Sequence, residues 1–231
     1  MHANGVRLLA AASHAARESP TSVLFLSGPL QHPGAFLPLA HALAAQGYAT
    51  YLADLLRPQY KLCTHPSTDG IVDTLHESIQ RARICSPPIA VGAYAEANIL
   101  QKYLESYPFS GAILLSPLPP APQAALHALL RAAGSAQRLP RTPTCAGAEE
   151  ATQALAAALA PRARSATAAR VAAAHLQRLA REPVNLEPQP VPMLLLGDAQ
   201  DEGVAATAAL HGLAAAPHTD AAALAWVSAR F

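Results

Sequence analysis

Ser22-Val23-Leu24-Phe25-Leu26-Ser27-Gly28-Pro29, followed by Leu30–Gln46, Gly47 and Tyr48–Asp54, decides the fold. Val23–Leu26 is a continuous apolar run, as a strand buried on both faces of a parallel sheet requires. Residues 27–34 carry Gly28, Pro29, Pro33 and Gly34 and read as a loop. In Ala35–Gln46 the apolar positions 36, 39, 40 and 43 share one helical face. Gly47 suits the end of that helix, where a left-handed backbone favours glycine. Tyr48–Ala53 reads as a second strand, closed by Asp54.

Outward from this unit the alternation continues. Asp69–Cys85 carries Ile71, Leu75, Ile79 and Ile84 at helical spacing. Ile89–Gly92 is a short strand, Glu96–Tyr107 a helix, Ala112–Leu115 a strand, and Met193–Gly197 one more. Strands alternating with helices of this length predict an α/β fold with a mainly parallel sheet. The expected strands are 23–27, 49–53, 89–92, 112–116 and 192–197, with 89–92 at the centre. Residues 117–190 interrupt the pattern. They are Ala-rich, hold no convincing strand, and are divided by Pro119, Pro120, Pro140, Pro143, Pro161, Pro183 and Pro188 into short helices. We read them as a helical cap inserted into a single domain of residues 22–231. Between Arg131 and Glu182 the cap carries eight Arg against three Glu, which reads as a solvated face.

Composition agrees with one packed domain. The chain has 231 residues, 52% of them hydrophobic and 13% charged, with a net charge of +1. That is enough apolar material for one sizeable core, and it excludes both a disordered chain and a basic nucleic-acid arm. Aromatic residues, at 5%, are too few for a base-stacking surface. No apolar run reaches the roughly 18–20 residues of a spanning helix. Cys63, Cys85 and Cys145 form no C-x-x-C pair, and none of the ten histidines stands in a metal-binding spacing. No glycine-rich phosphate-binding motif occurs. We therefore expect no metal and no cofactor. Residues 1–21 read as an N-terminal helical extension. They carry Arg7 and Arg17 with a single acid, Glu18, and Val6, Leu9, Ala12 and Ala16 can share one face. Either a targeting helix of the mitochondrial kind or an ordinary first helix fits.

The chain resembles the α/β-hydrolase superfamily from residue 22 to its end. Ser22–Asp54 is similar to that family's third strand, oxyanion loop, first helix and next strand, with Ser27-Gly28 where the family usually writes His-Gly. The family's antiparallel first strands have no clear counterpart in residues 1–21. Its nucleophile elbow, G-x-S-x-G, corresponds here to Gly92-Ala93-Tyr94-Ala95-Glu96. The first glycine is kept, Tyr94 fills the nucleophile slot, and Glu96 fills the slot of the second glycine. By resemblance Asp201, in Gly197-Asp198-Ala199-Gln200-Asp201, is the counterpart of the triad acid, with Asp198 weaker. His218, in Pro217-His218-Thr219-Asp220, is the counterpart of the triad histidine. Asp201 also fits the N-cap of a helix over 202–213, and His218 an exposed loop.

This departure from the motif bears on activity. A tyrosine oxygen stands several ångströms farther from the backbone than a serine oxygen, and its pKa is near 10. Glu96 is not small, although the elbow is strained and wants small neighbours. Of the oxyanion loop's two expected donors, Ala95 can supply its N–H, but Pro29 has none. A loop shifted by one residue lets Leu30 donate instead. The resemblance is thus to a degenerate member lacking the nucleophile serine. These residues lead us to expect a non-catalytic protein, with Tyr94, Asp201 and His218 as relics. Its expected role is a structural or interaction subunit, partnered by other proteins of a larger assembly, mitochondrial or otherwise cytoplasmic. The rival expectation is a serine-independent hydrolase or lyase, with His218 and Asp201 acting on a water, or a small-molecule receptor under the cap. An abandoned elbow should have a relaxed backbone at Tyr94, or a Tyr94 ring that fills the space where an acyl group would bind, with its hydroxyl partnered by His218 or Asp201.

Overall fold

The computed structural model describes residues 8–10, 21–55, 67–84, 86–134, 145–182 and 188–231. Cys63, Cys85 and most of the expected N-terminal helix lie outside them. The described chain forms a seven-stranded sheet with helices on both faces. The strands are β1 (Leu8–Ala10), β2 (Ser22–Ser27), β3 (Ala49–Asp54), β4 (Ile89–Ala93), β5 (Gly111–Leu115), β6 (Met193–Leu196) and β7 (Ala215–Ala216). Their order across the sheet is β1-β3-β2-β4-β5-β6-β7. All pairings are parallel except β1 with β3, which is antiparallel with Leu8 opposite Ala53. The five strands expected from the sequence are therefore present and mutually parallel, and β4 is central.

The N-terminal expectation needs correction. Residues 8–10 are extended, not helical, and extend the sheet beyond β3. Three residues carry little intrinsic preference, so the unpaired edge of β3 decides their conformation. They supply an antiparallel edge strand that residues 1–21 gave no sign of.

Each helix begins and ends for local reasons. A turn of 3-10 helix at Pro33–Phe36 opens on His32, whose Nδ1 accepts from the Gly34 N–H at 3.0 Å. It leads into α1 (Leu37–Ala45), and Gly47 follows with φ 95°, a value that suits glycine. α2 (Thr68–Arg81) is capped by Ser67, whose hydroxyl accepts from Gly70 N–H at 3.2 Å. α3 (Ala95–Leu104) starts directly from β4. The insertion holds α4 (Pro122–Ala132), α5 (Cys145–Leu159) and α6 (Ala166–Leu179). α7 (Glu202–His211) and α8 (Asp220–Arg230) complete the chain.

The sheet separates two cores. Leu24, Leu26, Ala90, Leu114 and Leu195 face α2 to α7, while Phe25, Val91, Ile113 and Leu196 face α1 and α8. Leu126, Leu129, Leu155 and Leu176 of the inserted helices belong to the first of these cores. The insertion thus helps to bury one face of the sheet. Among the described residues no helix is long and apolar enough to cross a membrane.

Candidate active site

The change of direction in strand order falls between β2 and β4. β2 is followed across α1 by β3 on one side, and β4 across α3 by β5 on the other. Ligands in open α/β sheets bind at the carboxyl ends of strands flanking such a point. Here those ends are Ser27-Gly28-Pro29 and Tyr94-Ala95-Glu96.

Tyr94 has φ 53° and ψ −118°. Positive φ is unusual for a bulky residue, and this ψ lies far from the small left-handed well. Such backbone costs on the order of 1–3 kcal/mol. The turn is tight because β4 enters α3 without a loop. Gly92 makes this possible: a Cβ there would stand 3.0 Å from the backbone carbonyl of Glu96 and 2.9 Å from Leu100 Cδ1. The Tyr94 N–H donates to the Leu115 carbonyl at 2.9 Å, which anchors the bend to β5. The backbone at Tyr94 is therefore strained although the serine is absent, so of the two expected outcomes the relaxed backbone is not the one seen. The half-buried Tyr94 ring packs against core residues of both faces, and its hydroxyl bonds to no described residue.

Glu96 is the residue whose importance sequence reasoning missed. It is fully buried, and neither carboxyl oxygen has a hydrogen-bond partner. Burial pushes its pKa up to about 8, opposed in part by its own backbone amide, which does not reach bonding geometry. At neutral pH it is mostly a neutral acid. Its carboxyl lies where a side chain on Gly28 would otherwise stand, since a Cβ at Gly28 would collide with Glu96 Oε1. Thus Gly28, in the loop after β2, makes room for the Glu96 side chain. The signal was a carboxylate in a slot that normally takes glycine, paired with a glycine two strand-ends away.

The loop after β2 is well fixed. Ser27 Oγ donates to the Ala53 carbonyl at 3.2 Å, an ordinary strand-end bond, and Gly28 N–H donates to Gln31 O at 3.2 Å. Pro29 is buried. Ala95 is buried at the first position of α3, where helical N–H groups lack intrahelical partners. Asn98, one turn on, accepts from Leu118 N–H at 3.0 Å and ties α3 to the loop after β5.

Asp201 and His218 follow β6 and β7. Asp201 is the N-cap of α7: its Oδ1 accepts from Gly203 N–H at 2.9 Å, and Oδ2 lies 4.0 Å from Arg131 Nη2. Asp198 is committed to a turn, accepting from Gln200 N–H at 2.9 Å. His218 is exposed in the loop between β7 and α8, and bonds to no described residue. The register runs Ala93, Leu115, Leu196, Ala216 across neighbouring strand ends. At about 4.8 Å per strand, the end of β7 is roughly 14 Å along the sheet from the elbow. The expected cluster of Tyr94 with His218 or Asp201 does not form. Among the described residues no group of His, Cys, Asp and Glu could hold a metal ion.

No protein-family model matches the chain, and no curated protein matches its sequence. Solved structures do. MenH from S. aureus superposes with a TM-score of 0.64 at 15% identity, covering 98% of both chains. E-2-(acetamidomethylene)succinate hydrolase gives 0.58 at 16%, covering 97% of this chain and 99% of its own. The Vlm2 thioesterase domain gives 0.58 at 16%, covering 94% and 91%. These neighbours are α/β-hydrolase family members, and the fold of this chain is theirs.

The expectation of a non-catalytic structural subunit does not stand. The neighbours are enzymes, thioesterases and hydrolases among them, and the pseudoenzyme reading finds no support there. At these identities the likeness shows the fold.

Proposed function

We propose that this chain is a serine-independent hydrolase, acting on acyl substrates whose carbonyl oxygen is held at the elbow between β2 and β4. The observation that carries this reading is Tyr94 at φ 53° and ψ −118°, a strained residue at the ligand-binding end of the central strand. Tyr94 replaces the nucleophile, so no acyl-enzyme forms through an elbow serine. Its hydroxyl acts as a donor. The Ala95 N–H and the positive end of α3 lie beside it and favour developing negative charge. Water adds to the acyl carbon, the bond to the alkoxide or thiolate leaving group breaks, and the water's proton ends on that group. The products are a carboxylic acid and an alcohol or thiol.

The test is hydrolysis of a panel of short acyl esters and thioesters, with intact-protein mass spectrometry during turnover. The expected result is turnover that resists serine-directed fluorophosphonates, shows no acylated protein, and falls about 10²–10³-fold in Tyr94→Phe, the loss typical of one removed oxyanion donor. A fluorophosphonate-labelled serine whose modification stops turnover, or no turnover anywhere in the panel, would sink the proposal.

A further inference from the structure

The turn between α5 and α6 is strongly cationic. From Ala151 to Arg181 the chain carries five Arg and no Asp or Glu. Arg162, Arg164 and Arg170 are exposed at this turn and at the start of α6, and among the described residues none of them is ion-paired. Arg131 and Arg178, by contrast, lie 4.0 Å from Asp201 and 3.8 Å from Glu182. Ser165 stands within the turn, directly after Arg162-Ala163-Arg164. It is exposed, as are both arginines before it and Ala166 and Thr167 after it. The backbone here is open rather than folded on itself. A short 3-10 turn at Ala160–Arg162 ends on Ala163 at φ −91° and ψ 150°, and Ser165 is extended at φ −161° and ψ 161°. The Ser165 hydroxyl accepts from the Ala168 N–H at 3.1 Å, as the cap of α6.

From these facts we infer that Ser165 is a phosphorylation site, recognised by an arginine-directed serine kinase through Arg162 and Arg164. Kinases choose substrates by charge pattern, and unpaired guanidinium groups three residues and one residue before an exposed, extended serine suit a carboxylate-lined cleft. In the step itself the Ser165 oxygen attacks the γ-phosphorus of ATP. The bond from that phosphorus to the β–γ bridging oxygen breaks, ADP leaves, and the hydroxyl proton passes to the kinase's catalytic carboxylate. Ser86 shows why spacing alone does not make a site. It too has an arginine three residues before it, Arg83, but that arginine is in left-handed backbone at φ 56°. Ser86 is also half-buried, and Pro87 and Pro88 follow it without an N–H to offer. The consequence at Ser165 falls on the inserted helices. A phosphate there brings about two negative charges to the first turn of α6, beside cations that have no other partner, and tightens that turn. α6 packs Ala169, Ala172, Ala173 and Leu176 into the core beneath it, so the modification stabilises the insertion as a whole. The site is independent of the acyl chemistry proposed at the elbow.

The test incubates the full chain with ATP, magnesium and calmodulin-dependent protein kinase, which reads an arginine three residues before its serine, and maps the phosphate by peptide mass spectrometry. Ser165 should be the principal site. Ser165→Asn, which keeps a helix cap but has no hydroxyl, should take up no phosphate in this segment while melting close to wild type. Arg162→Ala/Arg164→Ala, checked for unchanged thermal unfolding, should be phosphorylated at least about tenfold more slowly. The phosphorylated chain should melt about 2–4 °C above the unmodified one at low salt, and the difference should shrink as salt is added. Phosphate absent from Ser165, phosphate chiefly on Ser86, or a double-arginine variant modified at the wild-type rate overturns the assignment. A melting temperature that is unchanged or lowered by the phosphate overturns the stabilising role. The protein isolated from its own cells should carry phosphate on the same serine. Only unmodified Ser165 there, however well the kinase acts in vitro, also overturns it.

Discussion

The two ends of the sheet's carboxyl edge make opposite use of their residues. At the β4 end the sequence departs from the hydrolase motif, with Tyr94 for serine and Glu96 for glycine, yet the backbone keeps a strained elbow and a buried, unpaired acid. At the β6 and β7 end the sequence keeps an acid and a histidine at plausible places, yet both are at ease. Asp201 caps α7 and His218 stands in solvent. Strain and unsatisfied polarity are costly, and they persist where function needs them. The contrast teaches that a retained residue is weaker evidence for a site than retained strain.

The stability of the two ends should differ in size and in pH dependence. The largest effect belongs to Glu96. Its pKa is raised from 4.5 in the unfolded chain to about 8 in the fold, so between these values the folded state holds a proton that the unfolded state has released. Stability therefore falls as pH rises from about 5 to 8 and levels off above, by a few kcal/mol in all. Glu96→Gln should remove that loss. Its advantage in thermal unfolding over wild type should be small at pH 5, grow to about pH 8 and then level off. A difference that does not change with pH would show that Glu96 is not buried neutral.

Smaller effects should follow at the other end. Asp201→Ala removes a cap and should cost about 1 kcal/mol by urea unfolding, in line with other N-caps. A much larger loss would mean that Asp201 holds more than α7. His218→Ala should change stability by less than about 0.5 kcal/mol, as exposed positions without partners do. A larger change would place His218 in contacts that the fold does not give it, and would blur the distinction between the two ends.

Away from these sites, His175 on α6 offers a control in the acid direction. It is buried, its Nδ1 accepts from Arg178 Nη2 at 3.1 Å, and burial with the nearby guanidinium depresses its pKa to about 3. The unfolded chain takes up a proton below about 6.5 that the folded chain refuses. Stability should thus fall as pH drops from about 6.5 toward 3, and His175→Gln should flatten that limb of the unfolding profile. An unchanged limb would remove His175 as its cause.

Much of the fold could be read from residues because its signals are local. Val23–Leu26 and Ala112–Leu115 are apolar runs flanked by loop residues, and no conformation but a buried strand accommodates them in an alternating chain. Gly92 marked the elbow, and its role is clear once the Glu96 backbone is seen pressed against it. The edge strand at Leu8–Ala10 was not readable, because its conformation is dictated by the free edge of β3. Glu96 looked like an obstruction for a related reason. The space that admits it is opened by Gly28, sixty-eight residues away in the chain, and only folding brings the two together. The cap role of Asp201 was one of two readings the residues allowed, and the Gly203 N–H shows that it is filled.

The central claim is that the elbow works and the retained acid–histidine pair does not. It is tested most directly by measuring kcat/KM for acyl hydrolysis in Tyr94→Phe and His218→Ala side by side, with thermal unfolding as a control for folding. The account predicts a fall of about 10²–10³-fold in Tyr94→Phe and a rate within about twofold of wild type in His218→Ala, whose side chain is exposed and bonds to no described residue. A large loss in His218→Ala with Tyr94→Phe fully active would contradict it.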